Sequence, residues 1–475
     1  MTSLHAAGRI RALARAGAAI LLTLITPDLL AGTTAVDYDI VYVRQPRYGD
    51  DIDTVWPDVG QPGRMEPGAD LMLLHPDGSQ EILVDAGPDG AVTDPAVSLD
   101  GQWVYYSFFP DVSPAGLNPD RNFLSYAGSD LFRINVNTRE VNQLTFGEFT
   151  PATASGNWDT TNPLTTDPAK NSLGYGVMNT GPCPLPGGRI AFTSTRLALE
   201  LPRGGRYPVF QLYVMDEDGS NVTPVAPMTL SGALHPCLMR DGRILFSSHE
   251  SQGSRDRRQW AIFAIYPDGR HWTPVVSAFR RAQAFHFPTQ LPDGDVVFVD
   301  YYNFNNKGFG ALRRLPEPSF NTMGPFRSAL KEDNPNLAFT DSDGNAFNFQ
   351  MPFTPVNMFS LTPFTHAKDN AAPLIPGGGG ERAGKVTQPT AAPNGDLLVT
   401  WSGGPVNANM RPTNRPTVDS GIYIIPGGAT MTSHEDLVLI RNNPNFNEAW
   451  PRPVVPWTDI QGAPPVELPW LPNDG

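Results

Sequence analysis

The chain is poor in cysteine. Only Cys183 and Cys237 occur in 475 residues, which excludes a small scaffold stapled by disulfides. No Cys-x-x-Cys-His is present, so the usual covalent attachment of c-type haem is excluded too. Charge is also sparse, at 17% of residues, and the 34 basic side chains are outnumbered by 48 acidic ones for a net charge of −14. No basic stripe interleaved with aromatics offsets that acidity, which argues against nucleic acid as a partner. After the first thirty residues no apolar run reaches the ~20 residues that a spanning helix needs. No membrane span is expected in the mature chain.

Glycine and proline, by contrast, are plentiful: Gly (45) and Pro (49) make up about a fifth of the sequence. Pro removes a helical donor and Gly costs backbone entropy in a helix, so long helices would be broken repeatedly. Hydrophobic residues at 40% and aromatics at 10% still supply a core, which disordered chains lack. The composition points to a loop-rich, all-β protein.

Residues 1–32 have the layout of a secretory signal peptide. Arg9, Arg11 and Arg15 form a positive start, Ala16–Thr26 an apolar stretch, and Leu29–Thr34 a small-residue region. Thr33 rather than Cys follows Ala31-Gly32, so a lipid anchor is not indicated. Removing this segment, with three Arg against Asp28, takes the net charge from −14 to −16. The expectation is a periplasmic or secreted protein, with residues 33–475 as a single domain.

A repeat organises that domain. A Pro, four residues, then Asp, Asn or Gly followed by Gly precede a β-rich run. The phrase occurs at Pro95–Gly101, Pro182–Gly188, Pro236–Gly242, Pro288–Gly294 and Pro389–Gly395. Asp-Gly and Asn-Gly between apolar runs are hairpin chemistry, because Gly tolerates the positive φ of a tight turn. A second hairpin signature follows each unit, for example Gln211–Val225 (QLYVMDEDGSNVTPV). Four strands per repeat describe a propeller blade. A worn copy joins Gly310–Pro316 to Asn357–Pro363 around an insertion at 317–386. Asp39–Arg47 lacks a first strand, and Ala449–Trp457 resembles a first strand without partners. The two halves predict one shared blade, six blades in all, with the C-terminal strand closing the ring and leaving no free edge.

The phrasing QLYVMDEDGSN with a Pro-x4-Asp-Gly unit resembles TolB-like propeller repeats across nearly all of residues 37–457. More narrowly, YDIVYVRQPR, GPCPLPGGRIAFTSTR, GIYIIP and the Pro-rich closing strand resemble the N-terminal propeller of the hydrazine synthase alpha subunit and its relatives. The wider resemblance implies fold rather than activity. The chain departs from the narrower pattern in having no haem-attachment motif and no haem domains after the propeller. In those relatives a similar Pro-Cys unit contributes a metal-binding thiolate, which implies that role for Cys183.

Two regions are candidates for function. Long loops between second and third strands share one face and carry Arg44, Arg47, Arg196, His249, Glu250, Asn303, Asn306 and Asn407. Loops on a rigid scaffold commonly hold ligand sites, although Asn there also serves merely to cap turns. The second region is the channel. His235 and Cys237 flank a repeat Pro, Cys183 occupies the Cys237 position one blade earlier, and Asp94 precedes the Pro of another. His249 and His286 lie nearby in the repeat. Imidazole and thiolate suit zinc or copper, so Cys183, His235, Cys237, His249 and His286 are the expected metal ligands. Buried packing roles and a Cys183–Cys237 disulfide are the alternatives. No Gly-x-Ser-x-Gly, His-Glu-x-x-His or phosphate-cradling loop occurs. The leading expectation is a binding module for a small molecule or periplasmic protein. Its rival is a metal-dependent, oxidoreductase-like enzyme acting on a small nitrogen or sulfur compound.

Overall fold

Period-two strands joined by Asp-Gly turns do what their pattern predicts. The computed structural model describes residues 35–48, 56–57, 59, 62–121, 123–147, 172–199, 208–225, 232–249, 260–276, 283–302, 307–317, 339–340, 346–347, 358–368, 371–404, 406 and 418–470. The expected leader lies outside these residues, as does most of the 317–386 insertion.

Among the described residues the architecture is all-β, apart from short 3-10 turns and the helix Trp457–Gln461. The strands form antiparallel sheets in meander order. Ala91–Val97, Trp103–Phe109, Asp130–Asn135 and Val141–Gln143 make one sheet. Asn179–Leu185, Arg189–Ser194, Gln211–Asp216 and Thr223–Pro224 make the next. An eight-stranded sheet contains two further meanders, Ala233–Val276 and Gln283–Ser360, joined by the single parallel pair Trp260–Ala284. In the second of these Arg313 faces Ser360, so the strand before the insertion pairs with the strand after it. Lys385–Ala391, Leu397–Ser402, Ser420–Ile425 and Val438–Arg441 form the last of the consecutive sheets.

The remaining four-stranded sheet combines the two ends of the chain. Phe446–Pro453 pairs antiparallel with Ile40–Pro46, which pairs onward with Asp70–Leu74 and then Gln80–Val84. The complementary half-units of the sequence therefore meet in one sheet, as expected. Each first strand lies against the next along the chain, and Phe446–Pro453 lies against both Lys385–Ala391 and Ala91–Val97.

Second strands are mostly buried, and Ile244–His249 entirely so, because they are covered by sheets on both sides. That is why they read as continuous apolar runs rather than alternating ones. The turn glycines have a packing reason as well as a conformational one. A Cβ on Gly219 would sit 2.3 Å from the Leu144 carbonyl of the preceding sheet, and one on Gly269 2.1 Å from that of Val225. Both also have φ of +88°, so a side chain there is excluded by neighbour and backbone alike.

Candidate functional site

The repeat Pro marks a bulge in every first strand. The register slips by one residue between Thr93 and Ala96, Thr180 and Cys183, Leu234 and Cys237, His286 and Thr289, and Thr387 and Thr390. The closing strand slips likewise opposite Val41–Val43. In each case the residue before the Pro adopts a left-handed φ: Asp94 (50°), Gly181 (59°), His235 (54°), Phe287 (52°), Gln388 (51°) and Trp450 (51°). A residue before Pro ordinarily favours extended backbone, and a non-Gly residue at positive φ costs of order 1–3 kcal/mol. Five such residues at equivalent positions are a strain that the fold holds in place, and strain of that kind clusters at functional sites.

Past the Pro, equivalent positions carry Ala96, Cys183, Cys237, Thr289, Thr390 and Arg452. All six line one cavity of about 180 Å³, with Asp94, His235 and Phe287 from the pre-Pro set. The cavity lies toward the Pro-to-Gly turns. On the loop side of Phe287 the space is occupied: Trp56 packs on Phe309 with ring centroids 4.9 Å apart, and Val59 reaches Gly308 beside Phe287. On the turn side the C-terminal segment crosses over. The backbone N–H of Trp457 donates to the Leu99 carbonyl, and Gln461 Nε2 donates to that of Gln290 at 2.8 Å. Trp457, Ile460 and Gln461 thus complete the wall. Further on, Arg270 donates to the Pro469 carbonyl and the Arg189 guanidinium lies 4.4 Å from the Trp470 ring centroid.

Electrostatics inside the cavity follow from burial. Asp94 is pushed up to about 6, because desolvation outweighs the nearby Arg452 charge and hydrogen bonds from Thr93 and the Gly181 N–H. His235 is pushed down to about 3 by desolvation and by Arg452, so it is neutral at pH 7. Its Nδ1 meets His286 Nδ1 at 3.1 Å, one ring donating to the other. Its ring lies against Phe287 at 4.0 Å. His286 is fully buried, held neutral by desolvation and the two other histidines, and its Nε2 has no partner among the described residues. Trp260 contacts the rings of both His286 and His249. Arg452 is lowered to about 10, desolvation again outweighing Asp94.

Both cysteines are free. Desolvation raises the Cys183 thiol well above its usual range and pushes Cys237 up to about 11. The expected joint cluster of Cys183, His235 and Cys237 does not appear: among the described residues no three His, Cys, Asp or Glu side chains are placed to hold an ion. Instead His235 turns to His286, while the Cys183 and Cys237 Sγ atoms donate to the carbonyls of Pro184 and Leu238. The bulge explains the difference, since a left-handed residue between Leu234 and Pro236 breaks the alternation that would align His235 with Cys237. Suppressed thiolate has a measurable consequence. In the native protein at pH 8, iodoacetamide should alkylate both cysteines roughly a hundredfold more slowly than in denaturant, where two thiols per chain appear without reductant. Rapid native labelling, or a missing thiol in denaturant, would contradict the assignment.

The loop-face arginines are engaged internally. Arg47 is buried and donates to the Val418 and Pro444 carbonyls. Arg196 donates to Ser194 and Asn179 and lies over the Phe192 and Tyr213 rings. Arg44 pairs with Asp70 at 3.3 Å and covers Phe446. His249 is buried at its strand end. Glu250, Asn303, Asn306 and Asn407 lie outside the described residues. The face thus shows three arginines in scaffold contacts, and chemistry gathers at the other end of the first strands. Arg452 and Gln461 are absent from the sequence-based candidates. For Arg452 a signal existed: Pro451 is the sixth repeat Pro, which puts Arg452 at the cysteine position.

No family model and no curated protein matches this chain. Among solved structures, hydrazine synthase of Kuenenia stuttgartiensis superposes with a TM-score of 0.52 at 16% identity, over 90% of this chain and 47% of that one. TolB from Acinetobacter baumannii gives 0.44 at 13% identity, over 88% and 67%. The likeness is one of fold, that of a β-propeller. It spans about half the length of the hydrazine synthase chain it resembles. Among the described residues no helix is long and apolar enough to cross a membrane.

Proposed function

We propose that this is an exported, six-bladed TolB-like propeller that acts as a binding module and takes a small ligand into its axial cavity. The carrying observation is that cavity: about 180 Å³, walled by all six first strands, with Asp94, His235, two thiols and Arg452 in its lining. Concave sites with an apolar wall and a few convergent polar groups are the usual form of a small-molecule site. The ring reading is supported by the cyclic adjacency of the first strands and by the sheet shared between the chain ends. Export is supported by the signal-peptide pattern of residues 1–32. The loop-rich face is proposed as the docking side for a periplasmic protein.

The test is a thermal-shift screen of polar metabolites against the periplasmic protein, followed by native mass spectrometry. Ligands of the cavity should be lost on Ala96→Phe, which places a ring in the wall between Asp94 and the turn. No stabilising compound, or hits indifferent to Ala96→Phe, would defeat this reading. A metal-dependent enzyme is the second reading, favoured by the His235 ring in the cavity wall, whose Nδ1 lies 3.1 Å from that of the buried His286 behind it. The described side chains do not supply a third ligand to that pair. Stoichiometric copper, zinc or iron by elemental analysis would reverse the ranking.

A further inference from the structure

Buried charges of opposite sign normally pair directly, because an isolated ion in a low-dielectric site is strongly disfavoured. Asp94 and Arg452 break that rule. They come from adjoining strands and line the same cavity. Each feels the other's charge, yet among the described residues no direct ion pair joins them. Arg452 Nη1 donates to Thr390 Oγ1 and to the Pro451 carbonyl. No acceptor among the described residues engages its Nε or Nη2. Among the described residues Asp94 accepts from Thr93 Oγ1 and the Gly181 N–H alone. A third group waits in the wall: Gln461 is 5% exposed, and its Oε1 accepts no hydrogen bond from the described residues.

Among the described residues these are the only formal charges in the lining, one of each sign. The histidine and the thiols there are uncharged at pH 7. A simple anion on Arg452 would face Asp94, and a simple cation on Asp94 would face Arg452. A molecule carrying both charges satisfies both. Leu99, Val455, Trp457 and Ile460 offer an apolar surface for its body. At about 180 Å³ the space exceeds the ~150 Å³ apolar cavity that accepts benzene.

We infer that the cavity binds a small zwitterion with an aliphatic body, a free α-amino acid being the simplest member. Its carboxylate sits on the open donors of Arg452, which suit bidentate recognition. Its ammonium sits on Asp94 and the Gln461 carbonyl oxygen. The inference rests on the cavity reading above, and the experiment separates the two.

Calorimetric titration of the unmodified protein with alanine, proline, valine, leucine and methionine would be followed, for the tightest binder, by the amine and the acid that each lack one charged group. The zwitterion should bind at least tenfold more tightly than either analogue. Asp94→Asn should bring the zwitterion level with the acid, and Arg452→Gln should bring it level with the amine. Analogues that match the amino acid on the unmodified protein would overturn the inference. So would amino acids that fail to bind while another compound still shows binding sensitive to Ala96→Phe; that outcome would leave the cavity reading standing. Absence of any such compound would remove both.

Discussion

A chain truncated after Asn445 should fail to give a cooperative unfolding transition. The truncation removes Phe446–Pro453, which pairs with Ile40–Pro46 from Ile40–Pro453 to Pro46–Phe446. It also removes Trp450 from the shared apolar core, and the hydrogen bond that the Trp450 N–H donates to Gln388 Oε1. Ile40–Pro46 becomes an unpaired edge, and its buried side chains open to solvent. Losing one whole strand and its core contacts exceeds the ~5–15 kcal/mol that separates folded from unfolded domains. Thermal melts by circular dichroism and size-exclusion chromatography would test this. A monomeric truncated chain melting within a few degrees of the parent would show that the terminal strand does not hold the fold together.

Glu448→Gln should stabilise the protein at alkaline pH and change little near pH 4. Glu448 is fully buried in the closing strand. Its carboxyl is pushed from 4.5 up to about 8 by desolvation, against the pull of Arg441 and the Asn443 N–H. The raised value means the native state binds this proton more tightly than the unfolded chain does. Stability from this group is therefore complete below about 4.5 and falls as pH rises toward 8. Every tenfold difference in proton affinity is worth ~1.4 kcal/mol, so the loss is on the order of a few kcal/mol. Glutamine has the same shape and never ionises, so urea unfolding at pH 4 and pH 9 should show the variant gaining only at pH 9. An equal difference at both pH values would refute the assignment. Asp94 adds a smaller slope of the same sign, below about 6, but it is common to both proteins and cancels in the comparison.

Much of this molecule was readable along the chain. Pro-x4-Asp-Gly phrases located the first and second strands of each unit, because Gly at the turn and apolar residues around it are local requirements. The shared sheet of the two ends followed from complementary half-units, since an unpaired strand at either end would have been an exposed edge. Cys183, Cys237, His235 and Asp94 were placed beside one channel by their common distance from the repeat Pro, and all four line the cavity.

What failed was the step from same position to same point in space. Alternation along Ala233–Leu238 would align His235 with Cys237, but the bulge at the Pro turns the histidine toward His286 instead. The loop arginines looked available because nothing local engages them. Their partners are distant in sequence: Arg47 is held by the Val418 and Pro444 carbonyls.

The sequence by itself determined the strand count of each unit, the position of the turns and the meeting of the two ends, because periodicity, turn chemistry and edge pairing act over a few residues or repeat at fixed spacing. Tertiary structure alone decided that Asp94 and Arg452 face one cavity without touching, and that Gln461 completes its wall. Those outcomes depend on how the bulges of six strands aim side chains into one cavity, and on where the C-terminal segment crosses them. No local rule carries that geometry, since each strand contributes one or two groups and only the arrangement of all six makes the site.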